Sequence, residues 1–371
     1  MQDVDMGALA AQVLWAAMAL GVVFGAIAQR THFCTMGAVS DVVNVGDWSR
    51  MRMWALAIGV AMLGFNGMVA AGWVDPAKSF YAAARLNWLS ALAGGALFGV
   101  GMVLASGCGS KTLVRIGGGN LKAVVVFLVL ALAAFATLRG ITGVARVATV
   151  DRVYIEFAGS TDLPSMVARA LGVSRAAAAL VLGAAIGGGL VLWSLARAEG
   201  RQRDVLLGGL GIGAAVVAMW WVSGRLGHVA EDPNTLQEAF VATNSQRMES
   251  LSFVAPVAYT VDWLLFFSDK NKLLTLGIVT TAGVVIGSAL VALATRTFRW
   301  EGFAGVEDTA NHLVGAGLMG VGGITAMGCT VGQGLSGLST LALGSFIAVA
   351  GIVVGAMLAL RYQVWRLERM A

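Results

Sequence analysis

The sequence predicts an all-α, polytopic membrane protein, and three observations carry that reading. Of 371 residues, 58% are hydrophobic and only 12% charged, with a mean hydropathy of +0.81; a soluble domain is nearer half apolar and a quarter charged. Apolar runs of about 20 residues, the length that crosses a bilayer, recur along the whole chain. Arginines gather between those runs rather than inside them.

The first run, residues 8–28, follows Asp3 and Asp5. It is too long for a signal-peptide core and lacks a small-x-small cleavage pattern, so it is expected to remain as a transmembrane helix. Further spans are expected at 53–73, 89–107, 121–138, 176–196, 205–222, 274–295, 312–328 and 340–360, about nine in all. Two shorter apolar pieces, 33–45 and 252–268, read as re-entrant or interfacial segments. The polar stretches 141–174 and 224–250 read as connections. The chain is then one integral membrane domain, with a first repeat at about 8–140, the connection 141–174, and a second repeat at about 175–361.

Lysine and arginine near span ends collect on the cytoplasmic side. Arg50 and Arg52, Arg197, Arg201 and Arg203, Arg296 and Arg299, and Arg361, Arg366 and Arg369 share one side if the N-terminus is outside and the C-terminus cytoplasmic. The connection 139–175 runs against this scheme: it carries Arg139, Arg146, Arg152, Arg169 and Arg175, only partly offset by Asp151, Glu156 and Asp162. Span-flanking arginines account for most of the net charge of +5, so no nucleic-acid partner is implied.

All three cysteines fall in one repeated unit. Gly25, Gly99 and Gly320 each precede a cysteine, Cys34, Cys108 and Cys329, by nine residues, in "FGAIAQRTHFC", "FGVGMVLASGC" and "MGVGGITAMGC". In the topology above, the Cys108 unit ends an inward helix and the Cys329 unit an outward one, which makes an inverted repeat. Such repeats bind substrate where broken helices leave backbone amides free to meet an anion. Asn120 and Ser339 stand where helix N-caps belong. The candidate substrate-binding residues are Cys34, Cys108 and Cys329, with Gly107, Gly109 and Ser110 around the second, and Gly328, Thr330, Gly332 and Gln333 around the third.

Plainer readings stand beside these. A lone cysteine in an apolar helix is usually a small core residue, and glycine pairs often only let helices pack closely. Lys111 and Arg115 are either cytoplasmic anchors or anion attractors, and Asp262 is either an interfacial acid or a proton relay. An odd cysteine count without CxxC argues against a disulfide framework. His32, His228 and His312 show no metal-ligand spacing. No cofactor is expected, and no GxxxxGK[ST] signature is present.

"ASGCGSKTLVRIGGGNLKA", "GITAMGCTVGQGLSG" and "FGAIAQRTHFCTMGA" together resemble the YeeE/YedE family of bacterial inner-membrane transporters of thiosulfate and related sulfur compounds. The resemblance implies an hourglass-shaped, all-helical fold with inverted repeats and short re-entrant helices meeting at a constriction. It implies Cys34, Cys108 and Cys329 as functional residues, and as partners a small sulfur-containing anion, membrane lipid and a cytoplasmic TusA-like sulfur-carrier protein. A selenium compound is an alternative substrate. Chemistry makes this sensible: thiols are weak donors, and a row of shallow sites passes an ion along. Two other classes remain open, a membrane sulfurtransferase working through a cysteine persulfide and a redox-sensing membrane protein.

Overall fold

Helix dominates because the apolar runs contain no internal breaker. Of the four prolines, Pro76, Pro164 and Pro256 lie in the first turn of a helix, where no amide hydrogen is needed, and Pro233 lies in a turn. The computed structural model describes residues 5–233 and 235–370.

In chain order, α1 (Met6–Thr31), α2 (Thr35–Asn44) and α3 (Ser49–Ala70) are followed by α4 (Trp88–Leu104), α5 (Gly109–Gly117) and α6 (Leu121–Arg139). A connecting region holds α7 (Ile141–Ala148) and α8 (Leu163–Leu171). Then come α9 (Arg175–Leu182) and α10 (Gly188–Leu195), continuous through the π-helical turn Gly183–Gly187, and α11 (Arg203–Trp221). The chain closes with α12 (Ala255–Leu265), α13 (Leu276–Ala294), α14 (Val306–Thr325) and α15 (Leu343–Met370). Between α14 and α15 lies a short helix, 330–339, whose middle, Gly332–Gly337, is π-helical. Two small antiparallel ribbons pair β1 (Arg85–Leu86) with β2 (Ile155–Glu156) and β3 (His228–Val229) with β4 (Ala239–Phe240).

Eight helical segments among the described residues are long and apolar enough to cross a membrane. The span expected at 312–328 is α14, which starts at Val306 and is not among those eight: Glu307, Asp308, Asn311 and His312 make its first half polar. The short segments expected at 33–45 and 252–268 are α2 and α12.

In lipid, helices gain little from burying apolar surface against one another, and small residues that admit close backbone approach decide the pairing. Gly21 and Gly25 of α1 face Gly283 and Gly287 of α13 so closely that a Cβ on Gly25 would stand 2.1 Å from the Val284 carbonyl oxygen, and one on Gly287 2.0 Å from that of Val22. Gly95 and Gly99 of α4 meet Gly351 and Gly355 of α15 in the same way, with a Cβ on Gly99 2.2 Å from the Ile352 carbonyl oxygen. Among the described residues α1 packs along α13 and α11 along α3, α4 along α15 and α14 along α6, with further packing of α1 on α11 and α4 on α14. Each glycine of the repeated unit lies in one of these seams, Gly320 meeting the Leu130 carbonyl of α6.

One end of the bundle gathers the expected arginine clusters: Arg52 pairs with Glu199 at 3.4 Å, Arg366 with Glu307 at 2.9 Å, and the Arg299 amide bonds the Gly118 carbonyl. The opposite end is capped by the two polar connections. There Arg146 pairs with Asp151 at 3.2 Å, and Arg175 with Asp162 at 2.9 Å and Asp75 at 3.6 Å, so two of the arginines that ran against the charge pattern are neutralised locally.

Asn120 caps α6 as expected, accepting from the Ala123 amide at 2.9 Å. Ser339 does not cap α15: the short helix runs through it, and its hydroxyl donates to the Ser336 carbonyl and accepts from the Trp220 indole. Asp262 is ion-paired with Lys272 at 2.5 Å.

Asp162 fastens the cap to the short helix. It caps α8 by accepting from the Ser165 amide, and its neighbours bond the turn before α15 (Leu163 amide to Leu341 carbonyl, Leu343 amide to Thr161 carbonyl). Burial opposes its charge, but the Ser160 and Ser165 bonds and Arg175 prevail and hold its carboxyl below the usual range. A depressed folded-state pKa contributes stability above the unfolded value and loses it as pH falls through the folded one. Asp162→Asn should therefore lower stability by about 1–2 kcal/mol at neutral pH, and the gap from wild type should narrow below about pH 4, as read from thermal unfolding in detergent.

Candidate functional site

The three cysteine units share one backbone solution. Each long helix ends on a non-glycine residue in left-handed conformation two positions before the cysteine: His32 at φ 53°, Ser106 at φ 55° and Met327 at φ 57°. The next amide in each unit then bonds the carbonyl five residues back, Phe33 to Ala28, Gly107 to Met102 and Gly328 to Gly323, which is the closing bond of a Schellman turn. The chain reverses, and the cysteine opens a short helix, capping α2 (Cys34), α5 (Cys108) and the helix 330–339 (Cys329).

Each thiol is buried against a helix N-terminus. The Cys34 sulfur accepts from the Gly37 amide and the Cys329 sulfur from the Gly332 amide, both at 3.4 Å, and Cys108 lies 3.3 Å from the Ser110 hydroxyl. The Phe253 amide also points at Cys329. Cys108 is within electrostatic range of both Cys34 and Cys329. A free helix N-terminus carries about half a positive charge and unpaired amides, so three such ends converging on one interior region suit an anion.

The segment before α12 completes this region. Phe253 is fully buried, and its carbonyl oxygen lies 2.9 Å from where a Cβ of Gly109 would stand; Ser252 presses equally on Gly332. Gln333, expected as a substrate contact, has both ends of its amide engaged, donating to the Ala326 carbonyl and accepting from Ser345, each at 2.6 Å. It braces the turn before Cys329. Gly107 packs against the stem of Lys111, and Lys111 lies within electrostatic range of Cys34 and Cys108 and makes no ion pair among the described residues. Arg115 donates to the Ser106 carbonyl.

Two cavities adjoin the cysteines. The first, about 360 Å³, opens at the capped end and reaches Met327 and Gly328, next to Cys329; Tyr81, Arg146, Glu249 and Tyr259 are in its wall. The second, about 330 Å³, is apolar and includes Thr35, Trp54 and Thr330. The Thr35 and Thr330 hydroxyls and the Trp54 indole nitrogen are buried without a hydrogen-bond partner. Sequence reasoning missed Thr35, Trp54, Tyr81, Phe253 and Glu249. Thr35 and Thr330 each follow a cysteine and so carried a signal; the others reach the site from distant segments and carried none. No cluster of histidine, cysteine and acidic residues able to hold a metal occurs among the described residues.

The sulphur transport family model matches residues 30–358, a stretch that includes all three cysteines. The chain belongs to the sulphur transport family. Two curated relatives are the thiosulfate transporter TsuA of Spirochaeta thermophila, 25% identical over 92% of this chain and 97% of that protein, and TsuA of Escherichia coli, 25% identical over 90% of each. As a member of this family with eight membrane-length helical segments among the described residues, the protein is a multi-pass membrane transporter of sulfur compounds.

Gly109→Ala should show how closely the site is packed. Its Cβ would meet the Phe253 carbonyl, whereas a Cβ on Gly302 meets nothing within 4 Å. Overpacking of this kind costs about 1–3 kcal/mol, so Gly109→Ala should lower both the unfolding temperature and uptake of sulfur compounds by cells, and Gly302→Ala should change neither.

Proposed function

We propose that this transporter takes up thiosulfate, or a closely related sulfur-containing anion, across the bacterial inner membrane along a central pathway in which Cys329, Cys108 and Cys34 act in that order. The observation that carries the reading is the convergence of three buried thiols, each at the N-terminus of a short helix, with Cys108 in range of the other two. The two TsuA relatives support thiosulfate as the substrate.

The packing of α1, α3, α4 and α6 against α13, α11, α15 and α14 supports a division into two inverted halves, with Cys34 and Cys108 contributed from one side and Cys329 from the other. The arginine end is then cytoplasmic, the N-terminus periplasmic, and the 360 Å³ cavity the periplasmic entrance. The exit lies beside Lys111 and Arg50, which fits delivery of an anion to a cytoplasmic carrier of the TusA type.

Weak contacts suit this task. A dianion fully paired with arginines would be held too tightly to leave, whereas thiol and backbone donors keep each site shallow. Among the described residues the hydrogen-bond partners of the three sulfurs are backbone amides and one serine hydroxyl, with no histidine or carboxylate placed to take a proton from a thiol. That favours passage of the intact anion over sulfur transfer.

Membrane-impermeant thiol reagents applied from the periplasmic side should label Cys329 before Cys108 and Cys34, and thiosulfate should slow the labelling. Preferential labelling of Cys34 from that side would reverse the orientation.

In proteoliposomes given thiosulfate labelled separately on each sulfur, both labels should accumulate one to one. Cys108→Ser, which keeps a donor, should retain more uptake than Cys108→Ala, with a difference of about threefold to tenfold for one neutral hydrogen bond. If the outer sulfur entered while sulfite stayed outside, or both variants lost uptake equally, the protein would be a sulfurtransferase.

A further inference from the structure

The entrance cavity contains a carboxylate without a cationic partner. Glu249 is in its wall, in the segment between β4 and α12. Its side chain accepts from the Ser245 hydroxyl at 2.8 Å and from the Asn244 amide at 3.3 Å, and it takes part in no ion pair among the described residues. The groups facing it from neighbouring elements are neutral: Tyr81, before β1, and Tyr259, on α12. The other charges in the cavity wall, Arg146 and Asp151, are paired with each other, and Asp151 also accepts from Ser90. Arg247, on the same segment, donates to the Ala82 carbonyl.

An ionised carboxylate here conflicts with the cavity's proposed use, because a dianion entering the same space would meet a like charge at low dielectric, with no nearby lysine or arginine dedicated to offsetting it. A protonated carboxyl removes the repulsion and adds an O–H donor directed at the anion. Burial pushes the Glu249 carboxyl up to about 7, against the Ser245 and Asn244 hydrogen bonds. Both protonation states are therefore accessible near neutral pH.

We propose that Glu249 is a proton-binding residue of the entrance cavity, and that the substrate dianion and one proton bind there together. This rests on the reading of the cavity as the entrance for a sulfur-containing dianion. The proton comes from bulk water and is held on the carboxyl; no bond in the anion changes. The sign follows from the raised pKa. Below about pH 7 the carboxyl is already neutral and binding costs no proton uptake, while above it each bound dianion draws a proton from solution and affinity falls with rising pH. The Asp262–Lys272 pair, the other acid with an apolar setting, is satisfied and is not part of the cavity wall.

Isothermal titration of the purified full-length protein in detergent with thiosulfate tests this, at pH 6 and pH 8, in two buffers of different ionisation enthalpy. Wild type should bind about tenfold more weakly at pH 8 than at pH 6 and take up about one proton per anion at pH 8. Glu249→Gln, which stays neutral and keeps a donor, should bind equally at both pH values with no buffer-dependent heat. His228, which pairs with Glu238 outside the cavity wall, serves as a control: His228→Asn should behave as wild type. Equal unfolding temperatures and monodisperse elution would establish that the variants are folded. The inference is overturned if wild type binds alike at both pH values, or if Glu249→Gln keeps the wild-type pH dependence and proton uptake. Absence of thiosulfate binding to wild type at either pH would instead remove the reading of the cavity on which the inference rests.

Discussion

Close backbone approach between glycine-bearing helices holds this molecule together. A bilayer supplies little hydrophobic force between helices, so contact depends on how near two backbones can come. In the α1–α13 and α4–α15 seams, glycines four residues apart on each helix leave no room for a Cβ against the opposing carbonyl. These seams are long and rigid, and the irregular interior depends on them. Short helices and reversed turns can exist at membrane depth only when surrounding protein excludes lipid from their unpaired backbone.

The cysteine turns use the protection those seams provide. At each one the chain accepts a left-handed, non-glycine residue, a conformation that costs about 1–2 kcal/mol, and closes it with a Schellman bond. In return the turn points the next helix's N-terminal amides inward rather than toward lipid. Cys34 and Cys329 occupy matching positions, each sulfur accepting from the amide three residues on, while Cys108 is met by a serine hydroxyl instead. The middle thiol is thus the one whose partner can rotate, consistent with its place between the other two in the proposed pathway.

Charge follows the same division between framework and interior. The arginine end carries exposed pairs such as Arg299–Glu301, worth little individually. At the capped end the connection 141–174 places ion pairs where they neutralise arginines, bonds the turn before α15 through its backbone, and contributes Arg146 and Asp151 to the wall of the 360 Å³ cavity. That connection is therefore fastened to the helical bundle, although by composition it is only a polar stretch between apolar runs.

The sequence by itself determined the membrane class, the helix positions and the cysteine units, because each is a local property: apolar length, the absence of internal proline, and a glycine nine residues before each cysteine. Asn120 was legible as a cap for the same reason, since an N-cap bonds an amide only three residues away. Ser339 misled because the π-helical winding that carries the short helix through it is stabilised by contacts with Trp220 and Leu251 from distant segments. Tertiary structure alone decided which glycine seam meets which, that Cys108 comes within electrostatic range of the other two thiols, that Gln333 braces a turn with both ends of its amide engaged, and that Phe253 packs on Gly109 while Glu249 lines the 360 Å³ cavity. Those outcomes join residues up to hundreds of positions apart, and local periodicity carries no information about which buried backbone each will approach.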